Sequence, residues 1–159
     1  MAEWWGTREN VSPRLRLEVG AMRATFGDTF QLNISRQGVL YWVGEVEINM
    51  TGVPQREHVL KIVYPREYPI RPPEAYVIEP RNFYSPKHQF EDGQLCLFNP
   101  KDGTSYGWNP AKSTAATVAG WAIEWLYAYY TWRQTRIWPG VEEKVRKPLL
   151  PDWLLGEQG

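Results

Sequence analysis

The sequence has almost no thiols and few imidazoles: one cysteine and two histidines among 159 residues. One cysteine excludes an internal disulfide framework and any site built on several thiolates. Together with only two histidines, it also argues against a zinc site. A Gly-rich phosphate loop of the Walker type is missing as well, so we expect neither a metal nor a nucleotide cofactor.

Net charge and a secretory leader are also missing. Eighteen Lys and Arg balance eighteen Asp and Glu, so no bulk field attracts nucleic acid or an acidic membrane. The start, MAEWWGTREN, has acidic and polar residues where a signal peptide needs a basic and then an apolar run. The long apolar segment near 114–130 is interrupted by Glu124. These absences predict a soluble, cytoplasmic protein without a membrane span.

Helical periodicity is present at both ends of the chain. Ser12 has the character of an N-cap, Pro13 follows it, and apolar residues recur at helical spacing up to Phe26. A second apolar stripe begins at Val118, and its helix should end near Thr135. Further along, we expect one or two more helical turns in a charged stretch, and an apolar tail that packs back on the domain. These are residues 141–147 and Trp153, Leu154 and Leu155.

Between the two predicted helices, apolar residues recur at every second position, which is the spacing typical of β-strands. Four short runs follow one another with short connections, so an antiparallel meander is the economical topology. Residues 79–112 are dense in Pro, Gly, Asn and Asp and predict one long loop, anchored by the apolar neighbours of Cys96. The chain is therefore expected to be a single α+β domain over 1–159, with 137–159 as a short C-terminal extension. The four predicted strands cover 30–34, 39–48, 58–64 and 75–78.

Cys96 is the first candidate for chemistry. Flanked by Leu95 and Leu97, it can be interpreted as a small buried hydrophobe. It nevertheless lies in the irregular segment, and a cysteine on a loop held by apolar neighbours is how a protein fixes a nucleophile at its surface. Both interpretations stay open on these residues alone.

Three sequence motifs follow one another along the chain, and together they identify a protein family more specifically than any one of them does. In order and spacing they resemble the ubiquitin-conjugating enzyme (E2) family, and the resemblance covers roughly residues 12–136. The family shows an aromatic and proline run after its third strand, then Gly-x-Ile-Cys-Leu around its active-site cysteine, then Trp-x-Pro-Ala. The matching residues are Tyr64-Pro65, Tyr68-Pro69 and Pro72-Pro73; Gly93-Gln94-Leu95-Cys96-Leu97; and Trp108-Asn109-Pro110-Ala111.

One departure concerns the Asn of the family's His-Pro-Asn tripeptide, which helps stabilise the oxyanion. Its ungapped position, eight residues before Cys96, holds His88, and the nearest similar string is Ser85-Pro86-Lys87. The chain also lacks the family's acidic loop and final helix pair, and so is similar to divergent bacterial members. Several of those members sit in anti-phage defence operons, where they attach a ubiquitin-like protein or a nucleotidyltransferase to targets.

The resemblance implies that Cys96 accepts a protein C-terminus as a thioester and passes it to a lysine amine. An E1-like activating enzyme would supply the donor, and no cofactor or metal is needed by this chain. The imidazole of His88 could donate to the oxyanion or act as a base for the amine. Asp92 and Asp102 could orient the amine, while Lys87 would favour the thiolate.

The resemblance also implies partner surfaces. The first helix, with its three arginines, would dock the activating enzyme, although an ordinary solvated face explains such arginines equally well. Ligase partners would bind where the proline run and the Trp-x-Pro-Ala motif meet. The implied contact residues are Arg14, Arg16, Arg23, Tyr64, Pro110 and Ala111.

Two other functions stay open. The same fold with a dead site would be a module that only binds a ubiquitin-like protein or an activating enzyme. A cysteine hydrolase would need a base beside Cys96, and only His88 offers itself. The second histidine, His58, is expected to be solvated and without a function.

Overall fold

The computed structural model describes residues 3–97 and 107–139 of the chain. These residues form two helices and four strands in the predicted order, which confirms the α+β fold class. The elements are α1 Pro13–Phe26, β1 Phe30–Ile34, β2 Leu40–Glu47, β3 Glu57–Val63, β4 Glu74–Glu79 and α2 Ala115–Thr135.

Helix α1 begins where its cap predicts. The Ser12 hydroxyl oxygen accepts the backbone N–H of Leu15 at 3.1 Å, and a proline occupies the first helical position. Leu15 and Met22 are buried as the apolar stripe requires. Glu18 lies outside the apolar stripe of α1, and its side chain is nevertheless fully buried. Helical periodicity does not predict this burial, because most of the donors that surround Glu18 come from distant parts of the chain.

The strands form one antiparallel sheet in the order β1–β2–β3–β4, so the predicted meander is correct. Alternate residues point into the core, among them Trp42 on β2 and Leu60 and Ile62 on β3. The buried face of this sheet is covered by α2, which lies against β3 and β4 and also contacts α1.

His58 is a correction to the sequence interpretation. It was expected to be solvated, but it occupies a buried position of β3 and is 0% exposed. Its Nε2 lies 2.7 Å from the hydroxyl of Tyr130 on α2, and its Nδ1 lies 3.1 Å from the carbonyl oxygen of Arg56. The strand alternation places residue 58 on the same face as Leu60, and this face is turned to α2 rather than to water.

Helix α2 confirms the second predicted stripe. Val118, Ala122 and Leu126 are fully buried, and Trp121 is half-buried at the margin of the stripe. Within the described parts of the chain, no helix has the length and apolarity to cross a membrane. The turns expected over 141–147 and the expected packing of Trp153, Leu154 and Leu155 lie outside the described residues.

Candidate active site

Cys96 lies on a short hairpin that is attached to the edge of β4. Residues 89 and 95 form an antiparallel bridge, and the N–H of Leu95 donates to the carbonyl of Ala75 on β4 at 2.8 Å. We call residues 88–96 the Cys96 hairpin. Leu95 and Leu97 are 1% and 2% exposed, while Cys96 between them is half-buried. The two leucines therefore anchor the hairpin in the core on either side of the sulfur-bearing residue.

His88 lies opposite Cys96 in this hairpin. The backbone N–H of Cys96 donates to the carbonyl oxygen of His88 at 2.9 Å, which continues the register set by residues 89 and 95. His88 has a φ of 57°, the left-handed region that residues other than glycine rarely adopt. The structure thus brings together the two residues that the sequence singled out as nucleophile and supporting imidazole.

The other residues predicted to act around Cys96 are Asp92, Lys87 and Asp102, and the contacts recorded for the first two are local contacts within the loop. Asp92 caps the hairpin turn, where its carboxylate accepts the N–H of Gln94 at 3.0 Å. The backbone of Lys87 is held on both sides by the hydroxyl of buried Ser85, at 2.7 and 3.1 Å. Asp102 lies outside the described residues, so its predicted role stays a prediction.

A buried carboxylate is the centre of a second polar site. Glu18 accepts hydrogen bonds from the hydroxyls of Tyr64, at 2.7 Å, and of Tyr68. It also accepts the Arg14 side chain at 3.1 Å and the backbone N–H of Ala115, at the start of α2, at 2.9 Å. We call these five groups the Glu18 cluster. Since all of its donors are directed at one carboxylate, the buried charge is compensated.

The two tyrosines of the Glu18 cluster are neutral donors. Burial raises the pKa of Tyr64 well above its ordinary value, and the neighbouring Glu18 carboxylate raises it further. Burial and the same carboxylate also raise the pKa of Tyr68, although Arg14 opposes this. Neither hydroxyl therefore ionises at physiological pH, and both keep the proton that they donate to Glu18.

Arg14 and Tyr64 take part in the packing of α1 against the start of α2. Arg14 is half-buried and donates to the carbonyls of Pro110 and Ser113 at 2.7 and 2.8 Å, besides its bonds to Glu18 and Tyr68. Tyr64 is only 3% exposed. Their roles in partner binding stay predictions.

The remaining predicted partner residues lie at the surface. Arg16 and Arg23 are exposed on α1, Ala111 is exposed before α2, and Pro110 is half-buried. The indole N–H of Trp108 donates to the carbonyl of Pro69 at 2.9 Å, so the Trp-x-Pro-Ala motif and the proline run meet as expected.

The sequence interpretation missed two tryptophans at the Cys96 hairpin. Trp125 was assigned to the core stripe of α2, but its indole N–H also donates to the carbonyl of His88 at 2.9 Å. Trp138, expected only to follow the helix, is buried with its ring 4.6 Å from that of His88. No periodicity could find these contacts, because they join a loop to residues 37 and 50 positions away.

Metal chemistry has no support in the described parts of the chain. No three His, Cys, Asp or Glu side chains there lie close enough together to hold an ion. The groups that the hairpin offers are the thiol of Cys96, the imidazole of His88, the carboxylates of Glu91 and Asp92, and backbone amides.

The family model of the Type II CBASS E2 protein matches residues 18–145. The chain belongs to this family. That match covers Glu18, the Cys96 hairpin and both missed tryptophans, and it confirms the resemblance to E2 enzymes that the three motifs indicated. A search of curated proteins found no match.

Solved E2 structures share the fold of this CBASS E2 family member. The human ubiquitin-conjugating enzyme E2 G1 is 18% identical, with a TM-score of 0.50 over 74% of this chain and 98% of that one. A ubiquitin-conjugating enzyme E2 from Plasmodium falciparum is also 18% identical, with a TM-score of 0.50 over 71% of this chain and 95% of that one. At this identity the likeness establishes the fold alone.

Proposed function

We propose that this CBASS E2 protein accepts a protein C-terminus as a thioester on Cys96 and transfers it to an amine, in bacterial antiviral defence. The observation that carries the proposal is the setting of the one cysteine in the chain: only half-buried, flanked by two buried leucines and opposite His88. A structural cysteine needs no such exposure, whereas a nucleophile does. A reducing cytoplasm would keep this thiol free.

In the loading step, the Cys96 thiolate attacks the carbonyl carbon of a donor thioester held by an E1-like activating enzyme. A new S–C bond forms, and the thiolate of the activating enzyme leaves. The donor would be a ubiquitin-like protein or another protein with a free C-terminus. The flanking leucines contribute by fixing the backbone that carries the sulfur.

In the transfer step, a lysine amine attacks the Cys96 thioester. The amide C–N bond forms, the Cys96 thiolate leaves, and one amine proton passes to a base or to solvent. Free lysine is almost fully protonated at pH 7, so this step needs help that thiol exchange does not. His88 supplies it, either as an N–H donor to the oxyanion or as the proton acceptor.

A thioester trap tests this function. The chain is mixed with ATP and the activating enzyme and candidate donor proteins encoded beside it, and separately with N-acetylglycine mercaptoethanesulfonate thioester. We expect an adduct that reductant removes, that Cys96→Ala abolishes and that Cys96→Ser converts into a reductant-resistant ester. If no donor gives an adduct, the chain is a binding module. If the adduct is only hydrolysed and never passed to lysine, it is a hydrolase.

A further inference from the structure

One carbonyl oxygen links helix α2 to the Cys96 hairpin. The oxygen of His88 accepts both the backbone N–H of Cys96 and the indole N–H of Trp125, each at 2.9 Å. A carbonyl oxygen has two lone pairs, so these two donors can be accepted together. The backbone of the nucleophile and a side chain of α2 are therefore fixed by the same atom.

Trp125 is itself held firmly. It is 5% exposed, and its ring stacks on Tyr129 one turn along α2, with the planes 4° apart. On its other side Trp138 packs edge-on at 5.3 Å, and Trp138 in turn contacts the His88 ring. The indole donor therefore belongs to the rigid helix rather than to the loop that it contacts.

The conformation of His88 needs such a holder. A φ of 57° costs a non-glycine residue free energy and persists where its surroundings impose it. The hydrogen bond from Trp125 fixes the direction of the His88 carbonyl. The orientation of this peptide plane in turn sets the direction in which the Cα–Cβ bond of His88 carries the imidazole.

We infer that Trp125 is a positioning residue for transfer: its indole N–H holds His88 in the left-handed conformation that directs the imidazole to the Cys96 thioester. This rests on the proposed function. Attack of a thiolate on a thioester depends little on that geometry. Attack of an amine depends on it strongly, because its tetrahedral intermediate carries a protonated amine and returns to the reactants unless the imidazole stabilises the oxyanion or takes the proton.

The test uses the full chain and N-acetylglycine mercaptoethanesulfonate thioester as the probe. Mass spectrometry follows loading of Cys96 and then, after removal of excess probe, its discharge to free lysine. In Trp125→Phe, which keeps a ring and loses the N–H, we expect loading within twofold of wild type and discharge slower by about tenfold or more.

Trp132→Phe is the matched control. Trp132 lies two turns further along α2 in the same aromatic cluster, 6.3 Å from Trp138 and 6.2 Å from Tyr129 by ring centres. It should load and discharge at the wild-type rates. If Trp125→Phe fails to fold, Trp125→3-benzothienylalanine keeps the two-ring shape and replaces only the N–H by sulfur.

The outcomes separate the inference from the function on which it rests. If wild type itself neither loads nor discharges, the proposed function fails. If wild type does both and the Trp125 variants discharge at its rate, or lose loading and discharge equally, the positioning role is overturned.

Discussion

The Glu18 cluster and the Cys96 hairpin use polar groups in opposite ways. In the Glu18 cluster the side chains satisfy one another around a carboxylate that is 0% exposed. In the Cys96 hairpin the ties run mainly through backbone groups, and the side chains of Cys96 and His88 stay half-buried. Substitutions in the Glu18 cluster should therefore change stability, and substitutions in the hairpin should change rates.

The largest effect is expected at Glu18. Glu18→Ala leaves two tyrosine hydroxyls and a helix N–H without their acceptor and removes the ion-pair partner of Arg14, which should cost about 3–5 kcal/mol of unfolding free energy. Urea unfolding measures it, with Glu124→Ala on the exposed face of α2 as the control. A loss below about 1 kcal/mol would contradict the compensated buried charge.

At His88 the effect should be on rate. Removal of an oxyanion donor costs about a hundredfold or more, so His88→Ala should slow discharge of the Cys96 thioester far more than loading, with stability little changed. Equal effects on both steps, or none, would remove the oxyanion role.

His88→Asn separates the two roles left open for this imidazole. Asparagine tolerates positive φ and carries an amide donor but no base. Discharge near the wild-type rate would identify a donor, and loss of discharge as in His88→Ala would identify a base.

A smaller effect is expected at Gly6, whose segment carries Trp4 onto the rings of Tyr64 and Tyr68. Gly6 has a φ of 89°, and a Cβ there would lie 2.4 Å from the carbonyl oxygen of Asn10. Gly6→Ala should cost about 1–3 kcal/mol in urea unfolding. Gly20→Ala, on α1 with open space around it, should instead gain about 0.5–1 kcal/mol; equal results would contradict this account.

The smallest effect concerns pH. Burial lowers the pKa of His58, against the opposing influence of the Arg56 carbonyl and Glu57. The folded chain thus binds this proton less readily than the unfolded chain. The burial of neutral His58 costs no stability above about pH 6.5, where the imidazole is neutral in the unfolded chain too. As the pH falls from there toward the folded pKa, the free energy of unfolding decreases by at most about 1.4 kcal/mol per pH unit.

His58→Gln checks this dependence, because it removes this imidazole and leaves every other titratable group of the chain in place. The difference in unfolding free energy between pH 7.5 and pH 5.5 should be larger in wild type than in His58→Gln. Identical differences would mean that His58 keeps its ordinary affinity for protons in the fold.

Local pattern predicted the elements but not the polar contacts between them. Local features reveal these elements without any knowledge of distant residues. They are the Ser12 cap, the alternation of apolar residues in β2 and β3, and the apolar stripe that begins at Val118. His58 was misjudged and the burial of Glu18 was not predicted, because their partners, Tyr130 and Ala115, are 72 and 97 residues away. A charged or imidazole side chain looks solvated until its partners are known.

The candidate site was predicted only through motifs. Cys96 was singled out by its place in the irregular segment and by its motif, and His88 by its position eight residues before Cys96; the hairpin that pairs them is consistent with that spacing. Trp125 and Trp138 were not found, since tryptophan in an apolar stripe is ordinary core. Their roles depend on the direction of one indole N–H and one ring, which no sequence period encodes.

The Ala115 amide in the Glu18 cluster has a consequence for synthesis of the chain. Glu18 is made early and Ala115 almost a hundred residues later, so in a nascent chain that lacks Ala115 this carboxylate is better solvated by water than buried with one donor missing. A ribosome-bound fragment that stops before Ala115 should therefore resist compaction around α1. The Glu18 cluster is complete only after residue 115 has left the exit tunnel.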